Sequence, residues 1–112
     1  MTVTPKVLIS SKFAVAAETT QYTSPGATRT IIDKFTGTNT TAGVVLLTVR
    51  LIPVGDVPAA SNTIVYTKAL QGFETYSFPE LVGHILSALD YISTLADTAA
   101  AITIRASGRQ VN

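Results

Sequence analysis

Val44-Val45-Leu46-Leu47-Thr48-Val49-Arg50-Leu51-Ile52 is the most strongly apolar stretch of the chain. It is less than half of the roughly 20 residues that an apolar helix needs to cross a bilayer, so no membrane span is expected. Read with a period of two, Val45, Leu47, Val49 and Leu51 share one face. The other face is also apolar until Thr48 and Arg50, which points to a central strand covered on both sides at one end. The segment Pro53-Val54-Gly55-Asp56-Val57-Pro58 follows, where two prolines stop ladder pairing. The segment from Gly37 to Gly43 before it reads as a loop. The stretch is therefore a strand bounded by loops.

Strands recur outward from it in both directions. Upstream, Arg29 to Thr38 reads as a strand with Ile31, Ile32 and Phe35 apolar. Tyr22-Thr23-Ser24-Pro25-Gly26 reads as a turn, because Pro presets φ and Gly accepts φ > 0. Val7, Ile9, Phe13 and Val15 share one face of a further period-2 segment, with Lys6, Ser10 and Lys12 opposite. Downstream, Thr63 to Ala69 is a strand with Ile64 and Tyr66 on one face, Gln71-Gly72 a turn, and Phe73 to Phe78 alternates aromatic and polar residues. Pro79 stands at a first helical position ahead of Leu81, Val82, Ile85 and Leu86, which predicts at most one short helical turn near residues 79–86. Asp90 to Ala96 and Ala101 to Ser107 are the last strands. In the latter, Ile102, Ile104 and Ala106 point inward and Thr103 and Arg105 outward, with Gly108 as a terminal bulge or turn. This pattern predicts an all-β protein: a single antiparallel β-sandwich over residues 1–112, with residues 1–13 as an extended N-terminal arm. Jelly-roll and immunoglobulin-like topologies both fit the strand count, and the Cys–Trp–Cys core of true immunoglobulin domains is absent.

Composition agrees and excludes several functions. Of the 112 residues, 38 are Thr, Val or Ile, side chains suited to a pleated, half-buried surface. Hydrophobic residues make up 46% and charged residues 13%, which excludes intrinsic disorder. The net charge of +1 argues against an electrostatically driven nucleic-acid binder. Cys is absent, which removes disulfides, thiolate metal sites and Cys nucleophiles. A surface so poor in charge associates readily, the behaviour of a protein packed against partners. Lys12 and Ser10-Ser11 interrupt the apolar run near the start, so a secretory signal is not expected.

Residues that carry chemistry are few. His84 is the only imidazole, and Glu80 faces it only if that segment is helical. Asp56, Asp90 and Asp97 lie in or beside loops, without the dense Asp/Asn/Gly spacing of a calcium loop, and read as turn formers. No Ser sits in a G-x-S-x-G elbow and no glycine-rich phosphate loop is present. Asn39-Thr40-Thr41 matches a glycosylation sequon but reads as loop. Most Tyr and Phe fall at apolar strand positions and are assigned to core packing. Catalytic, metal and cofactor sites are therefore not expected.

Four segments resemble a known family. Residues 22–40, from Tyr22-Thr23-Ser24-Pro25-Gly26 to Thr38-Asn39-Thr40, resemble an opening that recurs in small bacteriophage virion proteins, where a Y-T-x-P-x-G turn precedes a strand ending in T-N-T. Residues 44–52 resemble that family's V-x-V-x-L strand. Residues 79–92 resemble its L-x-x-G-D-x-I segment, except that Leu89 stands where the family usually has Gly. Ile102-Thr103-Ile104-Arg105-Ala106-Ser107-Gly108-Arg109-Gln110-Val111 is similar to its I-T-I-R-A-S-G-x-E-[IV] terminal strand. The resemblance implies a phage structural β-sandwich of jelly-roll type, made in the bacterial cytoplasm, that decorates or cements a capsid or occupies a head–tail, tail or fibre position. It carries over no catalytic residue. The partners expected are the major capsid protein and further copies of the chain, as a dimer or trimer, with no nucleic acid, membrane or small-molecule substrate. A carbohydrate-binding β-sandwich is the alternative from another class. The contact residues expected are Val3, Pro5 and Lys6 in the arm, Asn39, Thr40 and Thr41 in one loop, and Val54, Asp56 and Val57 in the next.

Overall fold

A computed structural model describes residues 1–112 as nine strands in two antiparallel sheets packed face to face. The strands are β1 (Val3–Phe13), β2 (Thr19–Thr23), β3 (Arg29–Asn39), β4 (Val45–Ile52), β5 (Thr63–Leu70), β6 (Thr75–Ser77), β7 (Ile85–Leu86), β8 (Tyr91–Ala96) and β9 (Ile102–Val111). One sheet has the order β1-β9-β3-β6, with β7 also pairing β3; the other has the order β2-β8-β4-β5. The pairing is nested. The first strand pairs with the last, β2 with β8, β3 with β6 and β7, and β4 with β5, so the chain is one long hairpin wrapped between two sheets. No helix is long and apolar enough to cross a membrane.

The core lies between the sheets. Nineteen buried residues form one cluster, with Ile32 and Phe35 of β3 and Ile102, Ile104 and Ala106 of β9 facing Leu47, Val49, Val65 and Ile92 of the other sheet. Phe35 and Phe78 meet edge to face at 5.3 Å, and Tyr76 packs the same way on Phe78 at 4.8 Å. As its pattern implies, β4 is a central strand, but the end expected to be covered on both sides is open: Val44 is exposed and Leu46 half-buried, and the outward side is buried at Thr48 and Ile52 instead. The inward and outward residues of β9 fall as the alternation requires.

Elsewhere the period of two is broken by bulges. β1 carries an extra residue at Leu8, between the pairs Val7↔Ser107 and Ile9↔Ala106. β3 carries one at Asp33, between Ile32↔Gly108 and Lys34↔Ser107. The neighbours Leu8 and Ile9 are consequently both buried and Val7 lies on the surface, while a second register shift between Ile9 and Lys12 turns Phe13, expected beside Ile9, outward as well. Gly108 is not terminal but lies within β9, which runs on to Val111. In β5 the core residues are Val65 and Leu70, and the face carrying Ile64 and Tyr66 is the outer one. Tyr22 and Thr23 belong to β2, and the expected turn begins only at Ser24.

The helical turn expected near residues 79–86 is absent, and the single turn of 3-10 helix is at Ala60–Asn62 instead. The exposed edge of β3 captures the segment first. Gly83 N–H donates to Ile32 O at 2.7 Å, Ile32 N–H donates to His84 O at 3.0 Å, and Ile85–Leu86 pair with Thr30 and Ile31. Gly83 has φ +88°, which no α-helix accommodates.

Leu89, the position of the family's glycine, adopts the left-handed conformation at φ 68°. Its N–H donates to Ser24 O at 2.9 Å, closing a turn in which Asp90 accepts from the N–H groups of Ser87 and Val54. A branched side chain costs about 1–2 kcal/mol in this conformation, and Leu89 is half exposed, so little packing offsets the strain. Leu89→Gly is therefore expected to stabilise the fold by roughly 0.5–1 kcal/mol, after the added freedom of the unfolded glycine is deducted. A denaturation midpoint equal to or below that of the parent chain contradicts this.

Candidate partner-binding surface

Val3, Pro5 and Lys6 do not form a free arm: residues 3–13 are β1, an edge strand laid antiparallel along β9. The bond pattern starts from Thr2 and Asn112, which exchange N–H to O bonds at 2.7 and 3.0 Å. Val3, Pro5 and Val7 then fall at the alternate positions whose backbone groups face away from β9. Pro5 has no N–H to offer on that open edge. Together with exposed Lys6 and Lys12 and the interruptions after Val7 and Ile9, it blunts the edge against strand addition.

Asn39 is not a contact residue. Its side chain is fully buried and uses its whole hydrogen-bonding capacity within the fold. Nδ2 donates to Gly43 O at 2.7 Å and Leu70 O at 3.0 Å, and Oδ1 accepts from Thr41 N–H at 2.9 Å and Thr41 Oγ1 at 2.7 Å. Thr40 Oγ1 donates to Ala101 O at 2.9 Å. Asn39 thereby pins the loop after β3 to the end of β5, and only its two threonine neighbours reach the surface.

Val54, Asp56 and Val57 are exposed on the loop after β4. Asn62, itself buried, holds this loop by donating to Val57 O at 2.9 Å and accepting from Ala59 N–H at 3.0 Å, while Tyr91 OH donates to Asp56 O at 2.9 Å. The molecule measures 45 × 26 × 19 Å. The 39–43 loop packs with residues 71–74 and 101 at one end of the sandwich, whereas the 53–60 loop packs with Asp90 and Tyr91 at the other. The expected contacts thus do not converge on one site. Exposed apolar side chains occur at both ends, Val54, Val57 and Leu89 at the second and Phe13, Val44 and Phe73 at the first.

Three of the seven acidic groups are occupied in holding turns. Asp90 caps two backbone N–H groups, Asp97 accepts from Leu46 N–H at 3.0 Å, and Glu74 accepts from Gln71 N–H at 2.7 Å. Glu80 does not meet His84; it accepts from Tyr76 OH at 2.7 Å, and that bond to a carboxylate raises the Tyr76 pKa above the usual phenol value. Glu18, on the outer face of the β2-β8-β4-β5 sheet, binds both Arg50 and Ser93, and Arg50 Nε donates to Thr63 Oγ1 at 2.9 Å. No three His, Asp and Glu side chains converge as a metal cluster. Phe35 and Phe78 are core residues as expected, whereas Tyr66 and Phe73 project from separate elements into solvent, 73% and 72% exposed.

Sequence reasoning missed the distribution of charge. Lys6, Lys12, Arg29, Lys34, Arg105 and Arg109 all lie on β1, β3 and β9, and all are exposed. Asp33 is the one acid on these strands, paired with Arg109 at 3.0 Å. A net charge of +1 therefore conceals a cationic sheet, with Arg29, Lys34, Arg105 and Arg109 on its outer face and Lys6 and Lys12 on edge strand β1 opposite Gly108 and Ile104. No family model, curated protein or solved structure matches this chain.

Proposed function

We propose that the protein is a non-enzymatic structural component of a bacteriophage particle that binds the outer capsid surface and cements the shell. The observation that carries this reading is the nested strand order. A long hairpin folded so that its strand pairs alternate between two sheets supports a jelly-roll reading, an architecture used by viral capsid and lectin domains. The four segments that resemble small phage virion proteins agree with it. A thin slab has one broad side to spend on a neighbour, and repeated weak contacts over a shell add up through avidity. The partners in this reading are the major capsid protein and further copies of the chain.

Immunogold electron microscopy of particles that carry the chain tests the assignment. Label over the whole shell supports cementing. Label restricted to one vertex or to the tail transfers the protein to a head–tail, tail or fibre role, and unlabelled particles reject both. Exposed Tyr66 and Phe73 are what a carbohydrate-binding reading has in its favour. Binding on a glycan array that Tyr66→Ala abolishes would establish that function instead.

A further inference from the structure

The outer face of the β1-β9-β3-β6 sheet interleaves cationic and apolar side chains, with the cations on the two inner strands β3 and β9. Register places Ile85, Ile31, Arg109 and Pro5 in one row straight across β7, β3, β9 and β1. The next row is Arg29, Val111 and Val3, and on the other side lies Lys34, Ser107 and Val7. Cross-strand partners share a face, so these side chains stand together on the side away from the core. Arg105 extends the positive charge further along β9, where Nη1 donates to Ser11 Oγ at 3.3 Å. The molecule's ion pairs are Arg50–Glu18 and Arg109–Asp33, so Arg29, Lys34 and Arg105 have no carboxylate partner within the chain.

We propose that this face is the docking surface, and that its partner is a protein surface of complementary character: carboxylates interspersed with apolar side chains on the capsid shell. This rests on the cementing assignment and names the chemistry of the contact. Arg in preference to Lys, as three of the four cations here are, is a feature of protein interfaces. A phosphate backbone would leave Val3, Ile31 and Ile85 without a complement, whereas a protein surface covers them. The guarded β1 edge makes the contact face-to-face and not strand-to-strand. A slab of 45 × 26 × 19 Å offers on its broad side an area comparable to the roughly 800 Å² each partner contributes to a standard interface. The unpaired cations supply steering and orientation, and the apolar side chains beside them supply residence.

The test is co-sedimentation of the purified chain with shells lacking it, at about 50 and 300 mM NaCl. Wild-type affinity is expected to fall about tenfold between the two salts. K34E/R105E is expected to bind at least about tenfold more weakly at low salt, while K68E, a reversal outside this face, stays within about twofold of wild type. I85S/V3S is expected to weaken binding at both salts, since no charge is involved. Unfolding midpoints confirm that each variant is folded before it is compared. K34E/R105E or I85S/V3S binding like wild type overturns the proposal, and so does salt-independent binding. A DNA duplex held as tightly as the shells, with I85S/V3S unimpaired, overturns it in favour of a polyanion. A wild-type chain that binds no shell at either salt rejects the cementing assignment itself.

Discussion

Asn39→Asp is expected to cost about 4 kcal/mol or more at neutral pH, close to the whole stability of a small domain. The substitution keeps the shape of the side chain and reverses its chemistry. Nδ2 now donates to Gly43 O and Leu70 O; a carboxylate oxygen there faces the same two carbonyls with no proton between them. The site is fully buried, so water cannot relieve the repulsion. The sign with pH follows. The buried carboxyl would titrate well above its ordinary range, so the variant gains stability as pH falls and its neutral form recovers one donor. Asn39→Ala removes the repulsion but orphans the two carbonyls and Thr41 N–H, at an expected cost of about 2–4 kcal/mol. Denaturant midpoints of both variants at pH 7 and pH 4 check the order. Asn39→Asp as stable as the parent at pH 7 would mean that the loop after β3 is not held by this side chain.

Gly108→Ala is expected to cost about 3 kcal/mol, for a purely steric reason. A Cβ at this position would lie 2.2 Å from Ile31 O and 2.9 Å from Leu8 Cδ1. The first atom is backbone of the neighbouring strand and cannot swing aside. The second belongs to the bulge residue that β1 delivers into the core. One methyl group therefore forces β9 away from β3 or expels Leu8. Gly26→Ala is the control, because a Cβ there meets nothing within 4 Å and its cost should stay within about 0.5 kcal/mol. Equal midpoints for the two alanine variants would show that the strands yield without strain.

The same two positions mark where the sequence could be read and where it could not. Strong alternation in Ile102–Ala106, and its loss in Val44–Ile52, yielded one edge-independent strand and one central strand correctly, because burial on one or both faces writes directly into the residue pattern. Around Leu8 the pattern failed. A bulge inserts one residue, and from there every parity assignment inverts. The adjacent pair Leu8-Ile9, opposite a glycine, was the available signal. The turn before β7 failed for another reason: Pro79 and the apolar residues after it have a helical spacing, but the unpaired edge of β3 competes for their backbone and wins. Asn39 was assigned to the surface because a sequon-like triplet between threonines gives no sign of the two carbonyls waiting for its amide. The cationic sheet was invisible in composition. It exists only because β1, β3 and β9, distant in sequence, share one sheet.

The nested hairpin also sets the order in which the protein can be made. β1 pairs only with β9, and β2 forms its ladder with β8, so the earliest strands to leave the ribosome wait for the latest. At roughly 5–20 residues per second, β1 remains without its partner on the order of 5–20 s. The β4–β5 pair, adjacent in sequence, is free to form within that interval, so assembly proceeds from the middle of the chain outward. Pro5, Lys6 and Lys12, which guard one edge of β1 in the finished sheet, are then already in place during the period when both of its edges are bare.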